Sequence, residues 1–172
     1  VELDAQAAAN AAENFRRSPW AGRLSVVQTD AREFALRRPG TFGTVWCNPP
    51  FFQNSLLTPH HGTNLAKHNI SLQTTDWLAV AGKLLHKKGL LSVIVPYTHG
   101  IHIRNLALLQ GFYLSRRCVA CPAPHKPPNR LLLEFRRKRT PTQEQTLCLR
   151  DGQGRYTPEF AQLTRPFYKF FS

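Results

Sequence analysis

The sequence has no methionine, few acidic residues and no long apolar run. A helix that crosses a bilayer needs about 20 consecutive apolar residues, so the sequence predicts neither a transmembrane helix nor a membrane partner. A translated protein starts with Met and this chain starts with Val1, so we expect an N-terminal segment ahead of it, which would hide any secretory leader. The hydrophobic content of 42% with 19% charged residues is typical of a single globular domain, residues 1–172.

The shortage of acidic residues leaves a large positive charge. Ten Asp and Glu stand against 23 Lys and Arg, which gives a formal net charge of +13. Solubility alone needs a much smaller charge, so this excess indicates a polyanionic partner, and nucleic acid is the first candidate. The basic residues are spread along the chain, with denser stretches at Arg116-Arg117 and Arg136-Arg137-Lys138-Arg139. We therefore expect a basic face on a folded domain.

Cysteine is also sparse, with four residues in the chain: Cys47, Cys118, Cys121 and Cys148. Cys118 and Cys121 have the spacing of half a zinc site or of a redox pair, but the sequence holds no second pair of ligands at similar spacing. No predicted helix begins beside them to lower a thiol pKa. We expect reduced structural thiols, no metal ion and a cytosolic protein.

The order of the predicted elements favours an α/β fold. Strands are predicted at 1–3, 24–28, 42–47, 90–96, 112–120, 130–137 and 146–150. Helices are predicted at 5–17, 31–38, 72–88 (ended by Gly89) and 101–110, with an amphipathic segment at 158–171. Alternation of this kind predicts a mainly parallel sheet with helices on both faces, and the strands 112–120 and 130–137 predict an antiparallel hairpin at its edge.

Polar residues follow three of the predicted strands, at the sheet edge where ligands of such folds bind. Glu2 has the chemistry to accept hydrogen bonds from a ribose diol, or it is an exposed residue near a terminus. Asp30 has the chemistry to accept from an adenine amino group, or it caps the helix behind it. Asn48 is the third of these residues.

Asn48 opens the tetrapeptide Asn48-Pro49-Pro50-Phe51, which follows the predicted buried strand 42–47. Two consecutive prolines predict a rigid loop. The Asn48 side-chain oxygen and the Pro49 carbonyl are acceptors for the hydrogens of a planar amine. By gripping those hydrogens they would favour a pyramidal nitrogen and stabilise the positive charge that grows as it attacks. Phe51 offers a face on which the ring can stack.

This tetrapeptide resembles motif IV of the S-adenosylmethionine-dependent amino-methyltransferases. Further stretches resemble the bacterial tRNA1(Val) adenine-N6 methyltransferases over nearly the whole chain. They are Val1-Glu2-Leu3-Asp4, Ser18-Pro19-Trp20-Ala21, Asn48-Pro49-Pro50-Phe51-Phe52, Tyr156-Thr157-Pro158-Glu159-Phe160 and Phe167-Tyr168.

The resemblance implies a Rossmann-like class I methyltransferase sheet, S-adenosylmethionine as cofactor, and a flipped-out adenine of a tRNA anticodon loop as substrate. It implies that Glu2 binds the ribose, that Asp30 and Ala31 contact the adenine of the cofactor, and that Asn48 lies beside the cofactor and, with Pro49 and Phe51, forms the catalytic group. The residues it implies for substrate binding are Pro50, Phe51, Phe52, Lys67 and His68.

One feature departs from that family. Its Gly-rich turn, which wraps the methionine end of the cofactor, lies upstream of the acidic residue matched by Glu2, and the first Gly-x-Gly of this chain is Gly152-Gln153-Gly154, which predicts a hairpin turn. We therefore expect a partial domain that lacks a central strand, leaves residues 1–3 and their neighbour short of a partner, and binds S-adenosylmethionine weakly or not at all.

Two kinds of alternative remain open at the level of sequence. The chain is an inactive RNA-binding remnant, or it serves guanine-N2 methylation of rRNA or glutamine-N5 methylation of protein. The positive charge favours RNA over a protein substrate.

Overall fold

A computed structural model describes residues 1–49 and 74–168. The helices are α1 (Ala5–Arg17), α2 (Ala31–Arg37), α3 (Thr74–Leu84), α4 (Gly100–Leu109) and α5 (Pro158–Thr164). The strands are β1 (Phe42–Cys47), β2 (Leu85–Pro96), β3 (Tyr113–Cys121), β4 (Arg130–Arg136) and β5 (Gln143–Cys148). Two short 3-10 helices cover Ala21–Arg23 and Tyr97–His99.

The five strands form one sheet in the order β1-β2-β4-β3-β5. The pairs β1–β2 and β3–β5 are parallel, and the pairs β2–β4 and β3–β4 are antiparallel. The predicted α/β class is confirmed, as a mixed sheet. The predicted antiparallel hairpin is β3–β4, but its position needs a correction, since β5 covers the outer side of β3 and moves the hairpin inside the sheet.

Most helices begin and end where local chemistry predicts. The Asp4 carboxylate accepts from the Ala7 N–H at 2.7 Å and so caps α1. Gly111, at φ +73°, ends α4, and the Phe112 N–H then bonds the Ala107 carbonyl at 2.9 Å. The predicted bounds of α1, α2 and α4 hold to within one residue at each end.

The boundary between α3 and β2 differs from the prediction. Residues 85–88 belong to β2 rather than to the helix. Between the register pairs Phe42–Leu85 and Thr44–Leu90, β1 advances by two residues and β2 by five, so β2 bulges there. A Cβ at Gly89 would lie 2.8 Å from Leu85 Cδ2 and 2.9 Å from the His86 carbonyl oxygen. Gly89 is therefore needed by this tight bulge, not by a helix end.

The core lies between one face of the sheet and the helices α3 and α4. Alternate residues of β2 and β4 point into it: Leu91, Val93, Val95, Leu131, Leu133 and Phe135. They pack against Leu78 of α3, Ile103 of α4 and Phe112, all of which are fully buried. Burying such side chains stabilises the fold by about 1.5–3 kcal/mol each.

Part of the predicted basic face has a structural role instead. Arg137 Nη1 donates to the Gln110 carbonyl at the end of α4, and Nη2 donates to the Gly82 carbonyl in the last turn of α3 at 3.2 Å. Its guanidinium also lies 4.0 Å from the centre of the Phe112 ring. The Arg137 guanidinium thus interacts with the C-terminal ends of α3 and α4, where the helix dipoles are negative, and links the two helices.

The other predicted basic pair, Arg116-Arg117, is engaged on the sheet. Arg116 Nη2 donates to Gln145 Oε1 at 2.7 Å, and Arg117 Nη1 lies 2.9 Å from Glu144 Oε2. Both contacts join β3 to β5, so these charges help to hold the edge strand.

The first 30 residues lie outside the five-stranded sheet. The predicted strands at 1–3 and 24–28 meet in one isolated parallel bridge, Glu2–Gln28, made by Glu2 N–H to Val27 O and Thr29 N–H to Glu2 O, each 3.0 Å. The strand prediction for 24–28 is therefore wrong, because among the described residues no second strand flanks the bridge. In the described part of the chain, this bridge is the strand-type pairing that the segment makes.

At the other end of the chain, β5 begins three residues before the predicted strand at 146–150. The predicted hairpin turn is confirmed, since Gly154 has φ +81° and Asp151 N–H bonds the Arg155 carbonyl at 2.8 Å. Thr157 caps α5 by accepting from the Phe160 N–H. None of the helices in residues 1–49 and 74–168 has the length and apolar character of a bilayer span.

Candidate functional site

The candidate site lies at the edge of the sheet where β1 and β2 end. Asn48 follows β1 directly, and its side chain is exposed, whereas Pro49 is buried. A buried proline without a backbone N–H fixes the chain just behind an exposed amide. The arrangement presents the Asn48 side chain at the carboxyl end of a parallel strand, as the sequence predicted.

The strand that carries Asn48 is less buried than predicted. Trp46 is 83% exposed, and Val45 and Cys47 are half-buried. Within the described residues β1 pairs with β2 alone, and α2 and α3 cover one of its faces, through Phe34, Val80 and Leu84. The prediction of a buried strand at 42–47 is therefore corrected to an edge strand with one covered face.

Five of the predicted site residues lie outside the described residues. They are Pro50, Phe51, Phe52, Lys67 and His68.

Glu2 stands at the start of α1. Its Oε1 accepts from the backbone N–H groups of Leu3 at 2.8 Å and Asp4 at 3.0 Å. These two bonds orient the half-buried carboxylate and leave Oε2 as a further acceptor. The arrangement is compatible with a ribose diol as ligand.

Asp30 has the capping role that the sequence left open. Its Oδ1 accepts from the Arg32 N–H at 2.7 Å and begins α2, and the Arg32 guanidinium binds both carboxylate oxygens. These hydrogen bonds from Arg32 hold the pKa of Asp30 below its usual range. Ala31 is the first residue of α2 and is half-buried. An adenine contact at Asp30 remains a prediction, and it requires Asp30 to share its oxygens with Arg32.

The fold brings Glu2 and Asp30 to one place. The bridge pairs Glu2 with Gln28, two residues before Asp30. Helix α2 then leads to β1, and Phe34 packs on Phe42 with ring centres 5.9 Å apart. The bridge therefore holds the backbone of Glu2 close to that of Asp30, whereas Asn48 is positioned by the sheet.

Burial raises the thiol pKa of three cysteines, Cys47, Cys118 and Cys121, and Cys121 pairs with Cys148 across β3 and β5. Burial raises the pKa of the Cys47 thiol to about 11, so this residue beside Asn48 stays protonated at neutral pH. Cys118 and Cys121 are three residues apart in β3, which places them on opposite faces of the sheet. In the part of the chain that the structure describes, no group of three or more His, Cys, Asp or Glu could hold a metal ion.

The sequence analysis missed one feature of this edge. The linker between β3 and β4, residues 122–129, lies at the same edge as Asn48, because Pro96 at the end of β2 pairs with Arg130 at the start of β4. No sequence signal reveals this, since it follows from the strand order.

The fold resembles that of a predicted O-methyltransferase from Agrobacterium tumefaciens, known from a crystal structure. The two superpose with a TM-score of 0.71 and 19% identity over 95% of this chain and 74% of the other. The α/β fold is thus shared with that protein, and here it presents an exposed Asn48, followed by a buried Pro49, at the carboxyl end of the edge strand β1, which pairs in parallel with β2. No family model matches the chain.

Comparison with sequence relatives identifies the protein family. The chain is 38% identical to the tRNA1(Val) (adenine(37)-N6)-methyltransferase of Tolumonas auensis, in an alignment that covers 98% of this chain and 70% of the relative. It is 34% identical to the enzyme of that name from Bacteroides fragilis, over 98% of this chain and 71% of the relative. The chain belongs to the tRNA1(Val) (adenine(37)-N6)-methyltransferase family.

Proposed function

We propose that the protein takes part in S-adenosylmethionine-dependent N6-methylation of an adenine in the anticodon loop of a tRNA. The observation that carries this proposal is the exposed Asn48 amide, fixed by the buried Pro49 at the carboxyl end of β1, in a chain of this family. A cytosolic protein fits the free cysteines, and we propose that it acts as a monomer.

Asn48 and Pro49 act on the amine of the target base. The lone pair of an exocyclic amine is delocalised into its ring, so the nitrogen is a poor nucleophile. The Asn48 side-chain oxygen and the Pro49 carbonyl accept the two amine hydrogens and stabilise the positive charge that develops on the nitrogen. No general base is required nearby, since the proton leaves after transfer. Pro50, Phe51 and Phe52 hold the flipped base, and stacking on an aromatic ring contributes about 1–3 kcal/mol.

Lys67 and His68 are proposed as further contacts to the RNA. Both belong to a polar stretch, residues 53–71, that contains several histidines and no acidic residue. A segment of this composition suits a polyanionic ligand.

The described residues fit one end of the cofactor better than the other. Glu2 and Asp30, with Ala31, would contact the ribose and the adenine, and Asn48 would hold the amine that receives the methyl group. S-adenosylmethionine would supply that methyl group. The sequence has its first Gly-x-Gly at 152–154, in a hairpin turn, and no Gly-rich run that matches the family's turn for the methionine end, so we propose that these 172 residues alone bind the cofactor weakly or not at all.

The proposal is tested in cells by deleting the gene that encodes this chain and complementing it. Mass spectrometry of purified tRNA should show one N6-methyladenosine lost on deletion and restored by the wild-type gene. The Asn48→Ala gene should not restore it, although its product should bind tRNA within about twofold of wild type, since the amide acts on the transferred group. An unchanged N6-methyladenosine content after deletion would contradict the proposal.

A second candidate is RNA binding without methyl transfer. The net charge of +13 favours it, together with a first Gly-x-Gly that forms the hairpin turn at 152–154. The coding sequence upstream of Val1 separates the two. A strand followed by Asp-x-Gly-x-Gly-x-Gly supports the enzyme, and an immediate stop codon supports the RNA-binding protein.

A further inference from the structure

The linker between β3 and β4, with the first residue of β4, forms a stiff, positively charged loop at the same edge of the sheet as Asn48. We call residues 122–130 the proline arch, because four of them are prolines, at 122, 124, 127 and 128. Lys126 and Arg130 are its exposed cations.

The arch is fixed at both of its ends. The Arg150 N–H bonds the Pro122 carbonyl at 3.2 Å, and the Tyr97 N–H bonds the Asn129 carbonyl at 3.1 Å. Inside the arch the Lys126 N–H bonds the Ala123 carbonyl at 3.0 Å, which closes a tight turn. Prolines and these bonds restrict the backbone before any ligand arrives, so little conformational entropy is lost when one binds.

The charges of the arch are available to a ligand. Within residues 1–49 and 74–168 no carboxylate forms an ion pair with Lys126 or Arg130, and residues 50–73 contain no Asp or Glu. Arg116 and Arg117, by contrast, are bound to Gln145 and Glu144 on the sheet. Among the described residues, no carboxylate therefore neutralises the positive charge of the arch, whose backbone is fixed.

The sheet register places this charge close to the candidate site. Cys47 pairs with Val93 and Pro96 pairs with Arg130, so one strand, β2, separates Asn48 from Arg130. Two strand spacings correspond to roughly 10 Å across the sheet. The densest basic run, 136–139, follows the other end of β4, next to Leu90, and so lies at the opposite edge.

We propose that Lys126 and Arg130 bind phosphates of the RNA strand that flanks the base held at Asn48. This inference rests on the proposed function, since it names the surface by which the same site holds its RNA. Phosphate contacts of this kind position a nucleic acid without reading its sequence. Holding a base out of its stack costs unstacking energy, and contacts to the flanking nucleotides, such as those proposed for the arch, would help to offset it.

Binding of a tRNA1(Val) transcript tests the proposal. Fluorescence anisotropy measures the affinity of the transcript for the wild-type chain and for two double variants, between about 50 and about 300 mM salt. Lys126→Gln with Arg130→Gln removes the charges of the arch. Lys138→Gln with Arg139→Gln is the matched control, because it removes one exposed Lys and one exposed Arg from the opposite edge. Circular dichroism checks that all three chains are folded.

The arch variant should bind about fivefold to tenfold more weakly at the lowest salt, and the slope of log K against log salt should fall in magnitude by about two. The control should stay within twofold of wild type. An equal loss of affinity in both double variants, or wild-type affinity in the arch variant, would contradict the proposed role of the arch. Neither result would contradict the proposed function. If the wild-type chain itself does not bind the transcript, the RNA substrate of the proposed function fails, and the arch fails with it.

Discussion

The two ends of the chain differ in how they are held. From β1 onward, strands paired over five to seven residues and the helices α3 and α4 enclose a continuous core that includes Leu91, Ile103 and Phe135. Residues 1–30 form a helix and a bridge held by two backbone hydrogen bonds, and Ala8 is their one buried apolar residue within the described chain. The packed half carries Asn48 and the proline arch, whereas the first 30 residues carry Glu2 and Asp30.

This difference separates two parts of the proposed chemistry. The residues that would grip the target amine and its RNA stand on a sheet with its own core. The acidic residues that would hold the cofactor stand on a segment with few partners among the described residues. We therefore expect RNA binding to survive conditions in which the segment 1–30 opens locally.

Phe135→Ala should have the largest effect. Phe135 is fully buried in β4, and removing an aromatic ring from a packed core costs about 3–5 kcal/mol. Urea denaturation followed by circular dichroism should show this loss for the whole packed half. A change below 1 kcal/mol would show that the core is not the source of stability.

Arg137→Met should have the next largest effect. It keeps the apolar stem but removes the hydrogen bonds to the Gln110 and Gly82 carbonyls, at a cost of about 2 kcal/mol. Lys138→Met is the matched control, since Lys138 is exposed, and it should change the free energy of unfolding by less than 0.5 kcal/mol. Equal effects of the two substitutions would contradict the structural role of Arg137.

Asp30→Ala should cost about 1 kcal/mol, because it removes the cap of α2. Asp30→Asn keeps a capping side chain and removes the charge, so it should cost about 0.5 kcal/mol or less. The pKa of Asp30 is lower in the folded than in the unfolded chain, so the charge stabilises the fold above about pH 4. That contribution is lost as the pH falls through the folded-state pKa. The free energies of unfolding of the wild type and of Asp30→Asn, measured from pH 2 to 7, should therefore converge at the acid end. A difference that persists at pH 2 would contradict a stabilising role of the Asp30 charge.

Val27→Ala should have the smallest effect. Val27 is 40% exposed and contributes its carbonyl, not its side chain, to the bridge with Glu2. The free energy of unfolding should change by less than about 0.5 kcal/mol. Hydrogen exchange compares the two ends of the chain more directly. The Glu2 and Thr29 amides should exchange by local opening, well before those of Val93 and Leu133. Equal protection of the four amides would contradict the claim that residues 1–30 are held less firmly than the packed half.

Local chemistry predicted much of the fold. The predicted bounds of α1, α2 and α4 hold because Asp4, Asp30 and Gly111 mark helix ends by effects that act within a few residues. Asn48 is predicted as a site residue because Pro-Pro constrains its neighbours. The predictions failed for features that depend on contacts between residues far apart in the sequence. The exposure of Trp46, the place of β5 beside β3, the role of Arg137 and the position of the arch depend on which strands and helices are neighbours. A strand such as 24–28 has the right composition but forms only where partners flank it.

The most direct test is calorimetric titration of the 172-residue chain with S-adenosylmethionine, beside a titration with the tRNA1(Val) transcript. The account predicts measurable heat of tRNA binding and no saturation by the cofactor in the micromolar range. A micromolar dissociation constant for S-adenosylmethionine would contradict it, since the segment that carries Glu2 and Asp30 would then form a competent cofactor site without a Gly-rich turn.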